Sequence, residues 1–294
     1  MVNGRQDWNC SKIRIRWRCI FPSRWLLAVL PNIDKFAARR LPAALFNLVF
    51  PDDCRICGSP LREISRIPVC VLCLSAPKPL VAAYFCTGCN TPFLNAFPLD
   101  ENGRCGLCRR GLTGFDAVFS YGEYDGPLRK LIHLFKYGRL KPLALPLGKL
   151  LASALPRDWR YDMVVPMPLH WRRSWERGFN QSELLAKVVA ARLGAPVVKA
   201  VSRKRRTPSQ AGLTNAQRRT NVAGAFVCNK KFTVKDRHVL LVDDVLTTGA
   251  TASACASVLK RAGAKRVTVL TLARVDRRKS TVVSSTPDSL LTGA

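Results

Sequence analysis

The chain has 294 residues, enough for one full α/β domain and a smaller module. Its 48 lysines and arginines stand against 19 acids, a formal charge of +29 that lies far outside the usual range for a metabolic enzyme and draws the surface toward nucleic acid or anionic lipid. No apolar run approaches the ~20 residues of a membrane span, so no segment reads as a transmembrane helix.

Residues 1–50 read as a basic extension, partly helical, with Arg14, Arg16, Arg18, Arg24, Arg39 and Arg40 around Trp17 and Trp25. The apolar run Trp25 to Leu30, bracketed by Pro22 and Pro31, is too short for a secretory signal, and a cytoplasmic protein is expected. Phe36 to Phe50 sets Leu41, Leu45 and Leu48 on one side of an amphipathic helix.

Residues 51–112 change character. Eight of the twelve cysteines form four C-x₂-C pairs: Cys54/Cys57, Cys70/Cys73, Cys86/Cys89 and Cys105/Cys108. Each pair offers two thiolates from a tight turn, and two pairs close a tetrahedral four-sulfur site. The spacing fits two successive zinc ribbons. An interleaved scheme, with the first pair sharing a metal with the third, uses the same pairs and stays open. Metal explains regular pairs in a cytosolic chain better than disulfides do. Two structural zinc ions are expected, because four thiolates leave no position for water and so few large apolar side chains would not fold this stretch alone. Cys10, Cys19, Cys228 and Cys255 are unpaired by spacing and read as buried or incidental.

Residues 113–276 carry an α/β pattern. Phe115 to Tyr121 predicts a strand, and Tyr124-Asp125-Gly126-Pro127 a turn into a helix with proline near its first position. Leu128, Leu131, Ile132 and Phe135 recur at helical spacing and are core; Lys130, Lys136 and Arg139 lie elsewhere, and His133 reads as a structural or surface residue. A second helix is expected over 143–155, with Pro146 at its start or at a kink. Met163 to Pro166 is a buried strand, followed by a loop whose Arg172, Arg173 and Arg177 suit the oxygens of a pyrophosphate. Asn180 and Glu183 form a capping box for a helix that carries Leu184, Leu185, Val188 and Val189.

The stretch VLLVDDVLTTGAT, Val239 to Thr251, reads as a strand, a small-residue loop and a helix start. The strand ends on Asp243 and Asp244, which suit the vicinal hydroxyls of a ribose, directly or through Mg²⁺. Thr247, Thr248, Gly249, Ala250 and Thr251 present backbone amides and the positive end of a helix to a phosphomonoester. The Walker pattern G-x-x-x-x-G-K-[ST] is absent, which excludes a P-loop ATPase. A last strand, Val267 to Leu272, leaves Arg274 beyond its end, where an acceptor base would be recognised. Residues 277–294 lack periodicity and are expected to be disordered.

The stretch Val239 to Thr251 resembles the 5-phosphoribosyl-1-pyrophosphate (PRPP) motif of type I phosphoribosyltransferases, although Thr247 stands where purine-salvage members place an acid. Together with HLFKYG (His133 to Gly138), VVPMPLHWRRSWERGFNQ (Val164 to Gln181) and RTPSQAGLTNAQRRTNVAGAF (Arg206 to Phe226), behind paired cysteine knuckles, it resembles the ComF/GntX family. The resemblance implies an α/β fold, a type I phosphoribosyltransferase-like parallel sheet with helices on both faces, preceded by a small double zinc-ribbon module. It also implies PRPP as ligand, zinc and magnesium as cofactors, and a link to the DNA-uptake machinery of natural transformation. Gln181 and Arg206 join the pyrophosphate side, and the segment Arg203 to Arg219 would fold over the ligand. Ribose 5-phosphate would pass to an acceptor that the residues do not identify. The alternative is a PRPP sensor whose ribbons and basic surface bind single-stranded DNA, with Trp171, Trp175 or the N-terminal tryptophans stacking on bases. An amidophosphoribosyltransferase activity does not follow, since no glutaminase domain is present.

Overall fold

The computed structural model describes residues 52–61, 66–93, 96, 99–109, 114–170, 175–204 and 224–275. The N-terminal extension, most of the basic segment between Arg203 and Arg219, the C-terminal tail, and Trp171, Arg172, Arg173 and Arg206 lie outside the described residues.

In the cysteine-rich part, α1 (Val71–Ser75) starts at Cys70, β1 (Tyr84–Phe85) and β2 (Pro92–Phe93) pair antiparallel around Cys86 and Cys89, and α2 (Gly106–Arg109) follows Cys105. The chain then alternates through β3 (Ala117–Glu123), α3 (Gly126–Tyr137), α4 (Ala144–Ser153), β4 (Met163–Pro166) and α5 (Gln181–Leu193). It ends with β5 (Val201–Arg203), β6 (Phe226–Cys228), β7 (His238–Leu246), α6 (Ala250–Arg261) and β8 (Arg266–Arg274).

Four strands make one parallel sheet in the order β3-β8-β7-β4. Successive residues of a strand face opposite sides. Leu240 and Val242 therefore pack with Leu147, Leu151, Leu185 and Val189 of α4 and α5, while Val239 and Leu241 pack with Cys255, Ala256 and Leu259 of α6. Helices cover both faces, which is the burial that a continuous apolar run dictates. The antiparallel pair β5 and β6 lies on the α6 side and brackets the basic segment.

α3 begins as its turn residues require: Asp125 caps it through Gly126 N at 2.8 Å, and Pro127 sits in its first turn. Its stripe Leu128, Leu131, Ile132 and Phe135 is at most 3% exposed. α4 falls within the expected span and takes Pro146 in its first turn, where a missing N–H removes no helical bond.

Four local expectations are corrected. β3 starts two residues late, with Phe115 buried ahead of it. β7 does not stop at the acid pair but runs through Asp243 and Asp244 to Leu246, and β8 includes Arg274, because the ladder continues through Val245 with Ala273 and Leu246 with Arg274. Asn180 does cap α5, accepting from Ser182 N at 3.1 Å, but Glu183 does not return the bond; it pairs with Lys199 at 2.8 Å and Lys187 at 3.4 Å.

Both cysteine-rich lobes fall in one compact unit with the sheet, Asp52–Ala294. Leu80 N donates to Tyr121 O at 2.6 Å and Tyr121 Oη to Pro77 O at 2.9 Å, so the connection between the lobes lies along β3. No helix among the described residues is long and apolar enough to cross a membrane.

Candidate functional site

A crevice of about 260 Å³ opens where β4 and β7 end. β7 and the turn after it supply Asp243, Asp244, Thr247, Gly249 and Thr251; the start of α5 supplies Gln181 and Ser182; Arg177 and Arg203 complete that side. Lys136 and Tyr124 enter from the opposite wall.

The turn is shaped by Gly249, whose φ of +79° lies in the left-handed region that suits glycine. It lets the chain reverse into α6, whose first amides have no intrahelical acceptor. Thr248 and Ala250 hold this turn rather than line the crevice, Ala250 N donating to Thr248 Oγ1 at 3.4 Å. Small side chains thus leave a mouth of N–H groups at the positive end of a helix, the surroundings that hold an anion.

The two acids are not equivalent. Asp243 Oδ1 accepts from Ser182 Oγ at 3.0 Å and from Asp244 N at 2.9 Å. Burial, and then the charge of Asp244, pushes the Asp243 carboxyl up to about 7. Asp244 instead meets Lys136, its Oδ1 lying 2.8 Å from Nζ, with both side chains less than 15% exposed. Burial alone would lower the Lys136 ammonium; Asp244 and then Asp243 outweigh it and hold the ammonium above its usual range. Sequence reasoning placed Lys136 away from the site. The available signal was its position four residues after the core residue Ile132, at the edge of the apolar stripe, where a side chain is drawn inward.

Arg177 Nη1 donates to Gln181 Oε1 at 3.1 Å, and its guanidinium stands 5.3 Å over the Tyr137 ring. Gln181 is 1% exposed, and its Nε2 has no hydrogen-bond partner among the described residues, leaving a donor at the crevice wall. Arg177 and Gln181 line the same crevice as the acid pair. Trp175 is 84% exposed.

Arg274 behaves differently from expectation. Its guanidinium is buried and donates to Cys89 O at 3.0 Å, Asn90 O at 2.5 Å and Thr91 Oγ1 at 2.6 Å. The position read as a base-recognition point docks the second cysteine knuckle onto the sheet.

The cysteines gather in sequential order, Cys54, Cys57, Cys70 and Cys73 in one cluster and Cys86, Cys89, Cys105 and Cys108 in another, with the sulfurs of each within 4.8 Å of one another. The Sγ atoms of Cys57 and Cys70 lie 3.8 Å apart, those of Cys86 and Cys108 3.6 Å, and those of Cys89 and Cys105 3.5 Å. These distances exceed a disulfide bond and match the edge of a tetrahedron with ~2.3 Å metal–sulfur bonds. Cys70 N donates to Cys54 Sγ at 3.3 Å and Cys105 N to Cys86 Sγ at 3.2 Å, contacts that favour thiolates. Each tetrad can hold a metal ion, consistent with zinc.

A parallel α/β sheet with an acid pair and a small-residue turn at one strand end, behind two cysteine tetrads, defines a type I phosphoribosyltransferase-like domain with a cysteine module compatible with zinc ribbons. Residues 180–292 match the family model of the phosphoribosyl transferase domain. The DNA utilization protein YhgH of Salmonella typhimurium is 33% identical over 235 residues, 77% of this chain and 99% of the relative. Competence protein F of Haemophilus influenzae is 34% identical over 179 residues, 58% of this chain and 78% of the relative. Competence protein ComFC of Streptococcus pneumoniae is 24% identical over 234 residues, 75% and 99% of the two chains. The chain belongs to the ComF family.

Proposed function

We propose that this protein binds PRPP in the crevice and acts, with that ligand, in the handling of DNA during uptake. One observation carries the reading: a half-buried carboxylate pair and the amide mouth of a helix open into the same small crevice. Asp243 and Asp244 would hold the ribose hydroxyls, and the amides of Thr247, Gly249 and Thr251 the 5-phosphate, with Thr248 and Ala250 shaping the turn. Arg177 and Gln181, with Arg172, Arg173 and Arg206, would hold the pyrophosphate. The hard carboxylate oxygens of Asp243 and Asp244 fit Mg²⁺, which when bound would neutralise charge on the pyrophosphate. Lys136 holds the acid pair in place by removing one of its two charges. In transfer, the bond from C1 of the ribose to pyrophosphate breaks and its electron pair leaves with pyrophosphate; an acceptor lone pair closes on C1, and the acceptor's proton passes to solvent. The two tetrads would hold structural zinc.

The relatives' names speak of DNA utilization and competence. With a charge of +29, they support single-stranded DNA and DNA-uptake proteins as partners, in the cytoplasm. Arg274 favours a second reading. Where an acceptor base would be read, the guanidinium is spent on the cysteine knuckle, and a protein that senses PRPP without transferring it needs no such base site.

Titration with Mg²⁺·PRPP by calorimetry tests the shared claim, and saturable binding is expected. Released pyrophosphate in the presence of nucleobases or DNA ends then separates the readings: turnover supports transfer, and binding without turnover supports sensing. Absence of binding would refute both.

A further inference from the structure

A second concavity, about 700 Å³, lies beside the crevice between the first cysteine knuckle and the outer face of α3. Arg55 reaches it from the knuckle, and α3 contributes Arg129, Lys130, His133 and Tyr137, all exposed. Its one acid, Asp125, is engaged in capping α3. The floor includes Ile56 and Leu134. Cations and rings therefore stand together over Ile56 and Leu134, and Tyr137 is 64% exposed. His133 Nε2 and Tyr124 Oη lie 2.9 Å apart, and Arg177 stands over Tyr137. Tyr124 and Arg177 line the crevice, so the groove adjoins it through these two contacts.

We propose that this groove takes a single strand of DNA, its phosphates on Arg55, Arg129 and Lys130 and its bases against the rings of His133 and Tyr137. The inference rests on the reading that the protein works on DNA and adds where the strand lies. Backbone phosphates need spaced cations, and unpaired bases present faces that aromatic side chains can stack on, which a duplex hides. An acidic peptide would satisfy the cations but not the exposed ring. The contacts of His133 with Tyr124 and of Tyr137 with Arg177 set the strand next to the crevice.

The test is fluorescence anisotropy of a labelled oligothymidine of about twenty nucleotides, over a salt series, on the zinc-loaded full chain. Arg129→Glu with Lys130→Glu is expected to weaken binding at least tenfold and to lower the slope of log K against log salt by about 1.4, two phosphates at about 0.7 each. Tyr137→Ala is expected to weaken it about tenfold with the salt slope unchanged. Lys230→Glu with Lys231→Glu, in the turn between β6 and β7, makes the same change of net charge away from the groove and is expected to have a much smaller effect. Mg²⁺·PRPP titration of the two charge-reversal variants is expected to match the parent and reports that their fold is intact; for Tyr137→Ala, whose ring lies under Arg177, an unchanged melting temperature reports the same. A parent that binds the strand while groove and control variants weaken it equally, or not at all, overturns the groove and leaves the DNA reading standing. A parent that binds no strand overturns both. Equal displacement by poly-glutamate of matched charge also overturns the assignment to nucleic acid.

Discussion

Asp243 and Asp244 are neighbours in sequence but meet opposite surroundings, one under Ser182 and buried backbone, the other against Lys136. An acid raised to about 7 in the fold, against 3.8 as its ordinary value, binds a proton more tightly when folded. Its favourable contribution is complete below the ordinary value and is lost as pH rises through about 7, so stability falls across that window. Asp243→Asn keeps an oxygen for Ser182 and Asp244 N and cannot ionise. Thermal denaturation is expected to show the variant losing less stability than the parent between pH 5 and pH 8, and parallel curves would refute the assignment of that titration. Lys136→Met leaves the pair uncompensated and is expected to cost about 3 kcal/mol at pH 8, measured by chemical denaturation, with a smaller cost at pH 5, below the raised Asp243 value of about 7. An equal cost at both pH values would contradict the pairing.

At the level of elements, the sequence was most legible where burial is two-sided. β4 and the apolar parts of β7 and β8 stand where their hydrophobic runs lie, and the cap, proline and stripe of α3 each do what their residue types require. Strand ends were less legible, because hydrophobicity marks burial whereas pairing depends on the neighbouring strand: β7 carries its acids inside the ladder. Partner choice was least legible. Nothing local told Glu183 to prefer Lys199 over its own helix start, or Arg274 to turn toward Thr91, since both partners are supplied by tertiary packing. The same limit hid Gly148, where an added Cβ would come within 2.6 Å of the Val188 Cβ. Gly148→Ala gains up to about 1 kcal/mol of helix propensity but overpacks the α4 and α5 contact by about 1–3 kcal/mol. A net loss in urea denaturation is expected; a gain would show that the helices can separate at no cost.

Across the whole molecule, the second cysteine tetrad and the sheet are joined through Arg274, which donates to the adjacent carbonyls of Cys89 and Asn90 in the turn that carries the tetrad's first pair. Two metal equivalents per chain are expected by elemental analysis, and chelation is expected to lower the melting temperature of the sheet as well as of the cysteine lobes. Arg274→Met is expected to cost about 3 kcal/mol by removing charged donors from buried acceptors. A melting temperature that ignores chelation would separate the lobes from the sheet. The central claim concerns the crevice, where an acid couple and a helix mouth would grip one sugar phosphate from two sides. Its most direct test is calorimetric titration of Mg²⁺·PRPP into the parent and into Asp243→Asn with Asp244→Asn: binding by the parent and none by the variant is predicted, and equal affinity in both would contradict it.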